Sequence, residues 1–141
     1  MSEQKDLQFW VKYLSESELP VLKQTERDLA ALRDDDKLSV VAIAEVIARD
    51  LIVTVKLLRY LQRHKHKAQT SDVVQVEQAL LMLGIEPFFA HIPLTSVAED
   101  LLKNHMTGLP PLLRVVHRSH RASQYAMDWA CMLHDMHFEE V

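Results

Sequence analysis

Two glycines, Gly84 and Gly108, are all that 141 residues contain. A fold of many short strands needs glycine wherever its chain reverses tightly, so this shortage argues against a multi-stranded β architecture and for helices. The length fits one domain, large enough to bury a core without staples. Apolar residues at 48% and charged residues at 26% mark a globular chain rather than a disordered one. The net charge of −4 with histidine neutral lacks the basic excess of a general nucleic-acid or anionic-membrane binder. Cys131 is the only cysteine, which excludes an internal disulfide and a thiolate zinc cluster. The opening MSEQKDLQFW has no apolar signal-peptide core, and no stretch approaches the ~18 apolar residues of a membrane span. The cytoplasm is therefore the expected location.

Apolar spacing places the helices. Leu7, Trp10, Val11 and Leu14 recur at helical steps, and Pro20 separates this run from a second in which Leu22, Leu29 and Leu32 share a face. Ser39 suits the N-cap of a helix with Val40, Ile43, Ala44, Ile47 and Leu51 as its stripe. The β-branched run Ile52–Val55 continues into helical periodicity without bounding turn residues. It reads as helix, with Val55, Leu58 and Leu61 inward. HKHKAQTSDV reads as a loop, with Ser71 or Asp72 capping a helix that carries Val76, Ala79, Leu80 and Leu83 and ends at Gly84. Pro87 opens a short helix through Phe88 and Phe89, and Pro93 interrupts before one holding Val97, Ala98, Leu101 and Leu102. After TGLPP, a long helix from about Pro111 shows Val115, Ser119, Ala122, Ala126, Trp129 and Leu133 at near-heptad steps, taken as its inward face. The expectation is an all-α, compact bundle of about seven to nine helices.

Two basic clusters bear chemistry, RYLQRHKHK and RVVHRSHR. In the second, Arg114, Arg118 and Arg121 fall at i, i+4 and i+7 and line one helical face, with His117 beside them. Such a face grips phosphates or an acidic partner, or is simply solvated exterior. His64 and His66 do not share a helical face, and His117 and His120, at i and i+3, have arginines as neighbours rather than a carboxylate one turn away. No GxSxG elbow and no glycine-rich phosphate loop occurs. Cys131, near Trp129 and Leu133, is expected to be a buried small hydrophobe. His134-Asp135 has the form of a metal-binding dyad. On one continuous helix, however, His117 and His120 lie ~21–26 Å from it, far beyond the ~2 Å of a metal–ligand bond. No aspartate follows Asp135. The expected site inventory therefore contains no catalytic, cofactor-binding or metal-binding residue.

The stretch LPVLKQTERDLAALRDDDKLSVVAIAEVIARD resembles the opening of the HDOD domain, a bacterial signalling relative of the HD phosphohydrolases. LIVTVKLLRYL followed by TSDVVQVEQALLMLGIEPF is similar to the family's next segment. That segment typically reads D-P-x-L-T-x-x-L-L-R, then a Ser-Ser-apolar entry to a helix ending in L-G. Asp50, Thr54, Lys56, Leu57, Leu58 and Arg59 carry the first part; Ser71, Gln78, Ala79, Leu83 and Gly84 carry the second. Leu51 replaces the usual proline, and RYLQRHKHKAQ replaces a segment of small residues. The similarity spans roughly residues 19–141, leaving 1–18 as a separate N-terminal helix.

The resemblance implies a non-enzymatic regulatory module of signal transduction whose ancestral metal ligands are eroded and which acts through a protein partner. It also implies that Glu139-Glu140-Val141 leads into the helix of the family's own His-Asp position. His134-Asp135 then falls one helix early, and the domain is incomplete at its C-terminus. Arg114, Arg118, Arg121 and His117 are the candidate partner-binding residues, and self-association through the last helix is a further expectation. Two rival readings remain: a metal-dependent phosphohydrolase using His134 and Asp135, and a nucleic-acid binder using the basic clusters.

Overall fold

Asp50 is the single residue between two helices. Its extended backbone ends one helix at Arg49, and its carboxylate caps the next, which begins at Leu51. The computed structural model describes residues 6–34, 39–64 and 75–134, and among them eight α-helices appear: α1 (Leu7–Glu16), α2 (Lys23–Arg33), α3 (Val40–Arg49), α4 (Leu51–Arg63), α5 (Val76–Leu83), α6 (Ile85–His91), α7 (Ala98–Leu101) and α8 (Leu109–Met132). A 3-10 turn, Met106–Gly108, leads into α8. No strand occurs among the described residues; one isolated parallel bridge joins Val21 to Val97. No described helix is long and apolar enough to cross a membrane.

Local chemistry sets the boundaries. The Ser39 hydroxyl accepts from the Ala42 N–H at 3.5 Å, as the N-cap reading requires. Gly84 closes α5 with a φ of 87°, a value glycine adopts without Cβ strain. Its ψ of 152° puts it outside the left-handed helical basin expected there. Pro87, Pro110 and Pro111 all sit in the first turn of a helix, where the missing N–H has no intrahelical acceptor to lose. The proposed caps Ser71 and Asp72 lie outside the described residues.

Ile43, Ala44 and Ile47 of α3 meet Leu29 of α2, Val53 and Leu57 of α4, Ala79 and Leu80 of α5 and Phe88 of α6 in one core. Several expected faces differ. Leu51 does not extend the α3 stripe but opens α4 and stays exposed, because the Asp50 corner turns the chain before it. In α4 Leu58 and Leu61 pack half-buried against the core as expected, but the buried residues are Val53, Lys56 and Leu57, and Val55 points to solvent. Leu22 precedes α2 as its cap rather than sharing the Leu29 face. The helix expected at Val97–Leu102 is a single turn from Ala98 to Leu101.

The largest correction concerns α8. Val116 and Ala130 are buried, whereas Val115, Ala122, Trp129 and Leu133 face solvent. The helix carries two apolar stripes side by side, and the domain uses the one centred on Leu112, Val116 and Ala130. Cys131, expected inside, is exposed.

Candidate functional site

The polar residues of the family-like pattern, Asp50 at the start of α4 and Thr54, Lys56 and Arg59 within it, each hold main chain of another segment. Asp50 Oδ1 accepts from the Ile52 N–H at 2.9 Å, and its Oδ2 accepts from the Leu22 N–H at 3.3 Å. One carboxylate thus caps α4 and fixes the residue before α2. The Thr54 hydroxyl donates to the Ile47 carbonyl at 2.9 Å, tying α4 to the last turn of α3.

Lys56 is the unusual member. It is only 3% exposed, and its Nζ donates to the Leu19 carbonyl at 2.8 Å and to the Pro93 carbonyl. Burial pushes its pKa below the usual lysine value. Glu18 pulls it back up, neighbouring Arg59 lowers it further, and Asp50 opposes that. A buried ammonium is tolerable only when its protons find acceptors, and two carbonyls from distant segments supply them. The same segments meet again a few residues on. The Val21 N–H donates to Ser96 and the Ala98 N–H to Val21, both at 2.8 Å. The Glu99 carboxylate accepts from the Lys23 N–H at 2.9 Å, serving the start of α2.

Arg59 and Arg63, one turn further along α4, grip the end of α1. Arg59 Nη1 donates to the carbonyls of Leu14 at 2.8 Å, Ser15 at 3.3 Å and Ser17 at 2.9 Å. Arg63 donates to the Ser15 carbonyl as well. The last carbonyls of a helix lack internal partners and carry the negative end of its dipole, so two guanidinium groups are well matched to them. Arg59 is itself pushed below the usual arginine pKa by burial and by Arg63.

Beside this latch lies a cavity of about 190 Å³ lined by Lys56, Arg59, Tyr60, Arg63, His64, His91, Ile92 and Pro93. Tyr60 is stacked between His64, at 4.1 Å between ring centroids, and His91, at 5.5 Å. The lining is cationic and aromatic, yet its lysine and arginines are committed to carbonyls.

The candidate residues of α8 lie elsewhere. Arg114, His117, Arg118 and Arg121 are all exposed and share the solvent side of the helix. Arg121 donates to the Tyr125 hydroxyl at 3.2 Å, with its guanidinium 6.0 Å from that ring. His120 is half-buried, and its Nδ1 has no hydrogen-bond partner among the described groups. α8 runs unbroken from Leu109 to Met132, and His134 follows at a φ of 56°, exposed. That is a helix terminus; Asp135 lies outside the described residues, as does His66. Among the described residues no three His, Cys, Asp or Glu side chains gather as a metal-binding group.

Sequence reasoning missed the latch. A signal for it existed: Lys56 stands three residues after Val53 and beside Leu57, a position in an apolar stripe where a lysine must either snorkel out or find acceptors.

An all-helical domain stitched across its α4 face by Asp50, Thr54, Lys56 and Arg59 is the class that these features define. The HDOD domain model matches residues 19–140, and the chain belongs to the HDOD domain family. No curated protein and no solved structure matches it.

Proposed function

We propose that the chain is a non-enzymatic regulatory module of signal transduction that acts by binding a protein partner. The observation that carries this reading is the presentation of α1. Arg59 and Arg63 hold its C-terminal end to α4, but none of its ten residues is buried. Leu7, Val11 and Leu14 are 78%, 57% and 50% exposed. An amphipathic helix anchored at one end with its apolar side outward suits the groove of another protein. The exposed row of Arg114, Arg118 and Arg121 with His117 adds a surface for acidic groups on that partner.

The latch supports the same reading from the other side. Asp50, Lys56 and Arg59 have the residue types of a catalytic centre, but their hydrogen bonds are spent on main-chain groups.

Affinity capture from the cells that make the chain, with wild type beside Val11→Glu, tests the proposal. Specific partners should be retained by wild type and lost from the variant, with helicity unchanged. Equal capture by both, or metal-dependent phosphoester hydrolysis by the wild-type chain, would overturn it.

A further inference from the structure

Three faces divide α8. Leu112, Val116 and Ala130 turn to the domain, and Arg114, Arg118 and Arg121 turn to solvent. Between these faces runs a third, formed by Val115, Ser119, Ala122, Ala126, Trp129 and Leu133. Its steps alternate four and three residues, the spacing of a coiled-coil seam. Val115 is 54% exposed, Trp129 71% and Leu133 78%, along a seam of ~27 Å at 1.5 Å per residue.

We propose that this seam pairs with the same seam of a second copy of the chain, the two helices running antiparallel about a two-fold axis at Gln124. The register is self-complementary. Turning α8 over at Gln124 sets Val115 against Leu133 of the second copy, Ser119 against Trp129, and Ala122 against Ala126. The large indole meets the smallest polar member, and the four central alanines let the helices approach closely.

Charge fixes both the occupant and its direction. Arg114, Arg118 and Arg121 occupy the N-terminal half of the helix. Asp128, the one acidic residue of α8, lies in the C-terminal half. A parallel pair would lay arginines beside arginines. The antiparallel pair brings Asp128 level with His120 of the second copy, between its Arg118 and Arg121, and opposes the two helix dipoles. Such an interface is isologous, the same patch on both copies, and closes at two. It goes beyond the signalling role proposed above, since it rests on α8 and not on α1.

Sedimentation equilibrium of the full chain over a wide concentration range should show reversible monomer and dimer. Ala122→Glu, exposed and helix-compatible, should weaken dimerisation at least ~10-fold with helicity unchanged, while Val11→Glu should leave it intact. Orientation is read by cross-linking in a Cys131→Ala background. Val115→Cys with Leu133→Cys should form a disulfide-linked dimer, and Leu133→Cys alone should not, because a disulfide needs Cα atoms within ~7 Å. A chain that stays monomeric, a dimer indifferent to Ala122→Glu or lost with Val11→Glu, or ready linkage through Leu133→Cys alone would each overturn the proposal. A monomeric result would leave the capture experiment on α1 unaffected, so the two readings fail separately.

Discussion

Lys56 places a charge where an aliphatic residue would fit, and its energetic role depends on two carbonyls it did not need for its own helix. Lys56→Met keeps the length of the side chain but strands the carbonyls of Leu19 and Pro93. The expected destabilisation is about 1–3 kcal/mol, measured by urea unfolding. The same lysine gives a pH signature with a definite sign. Its folded pKa is lowered, chiefly by burial, from 10.5, so between the lowered value and 10.5 the unfolded chain binds more protons than the folded one. Stability therefore rises with pH across that window, and below it the full cost of burying the charge is present. Wild type should gain on Lys56→Met as the pH is raised from neutral towards 10.5. A gap that stays constant would show that the ammonium is not effectively desolvated. Arg118 is the contrasting case: it is exposed on α8. Arg118→Glu should change unfolding free energy by no more than about 0.5 kcal/mol while weakening capture of an acidic partner; a loss above ~2 kcal/mol would make the arginine structural.

At the scale of elements, boundaries were far more legible than directions. Ser39 and Gly84 announced an N-cap and a helix end because their chemistry is local, and both stand where expected. The facing of α8 was misread for a physical reason. Its solvent-side seam is the more regular apolar stripe, whereas the buried stripe beside it is interrupted by the half-buried His120. Periodicity reports which residues share a face, not what that face meets. The α4 latch was hidden differently: its long-range bonds run to main chain 28 to 48 residues away, a separation at which one sequence carries no pairing signal. Gly84 offers a sharp test of the α5–α6 junction. Its φ is +87°, and a Cβ there would lie 3.3 Å from Pro87 Cδ. Gly84→Ala should cost about 1–3 kcal/mol by urea unfolding, and a neutral result would mean that the corner relaxes without strain.

For the whole molecule, the separation between a buried centre and an appended arm is what matters. The core is built from α2 to α6 and the segments around Val21 and Ile92, while α1 contributes no buried residue. Deleting residues 1–16 should therefore lower stability by less than about 1 kcal/mol, since surface polar contacts on their own are worth little. Thermal unfolding of the shortened chain checks this. A drop of several kilocalories would mean that the grip of Arg59 and Arg63 on α1 supports the domain and does not merely present a helix. Belonging to the HDOD family fits this division, because the family match begins at residue 19, after α1 has ended.

The contacts around Val21 and Lys56 also set a schedule for the nascent chain. Lys23 and its acceptor Glu99 are 76 residues apart, and the Leu19 and Pro93 carbonyls can meet at Lys56 only once the later segment exists. At ~5–20 residues per second, a ribosome needs roughly 4–15 s to supply it. During that interval the start of α2 lacks the Glu99 carboxylate and the Val21–Val97 bridge, and Lys56 has one acceptor instead of two. The start of α2 is thus made early but completed only when α7 arrives, and protease challenge of stalled nascent chains should find it cleavable until α7 has left the ribosome.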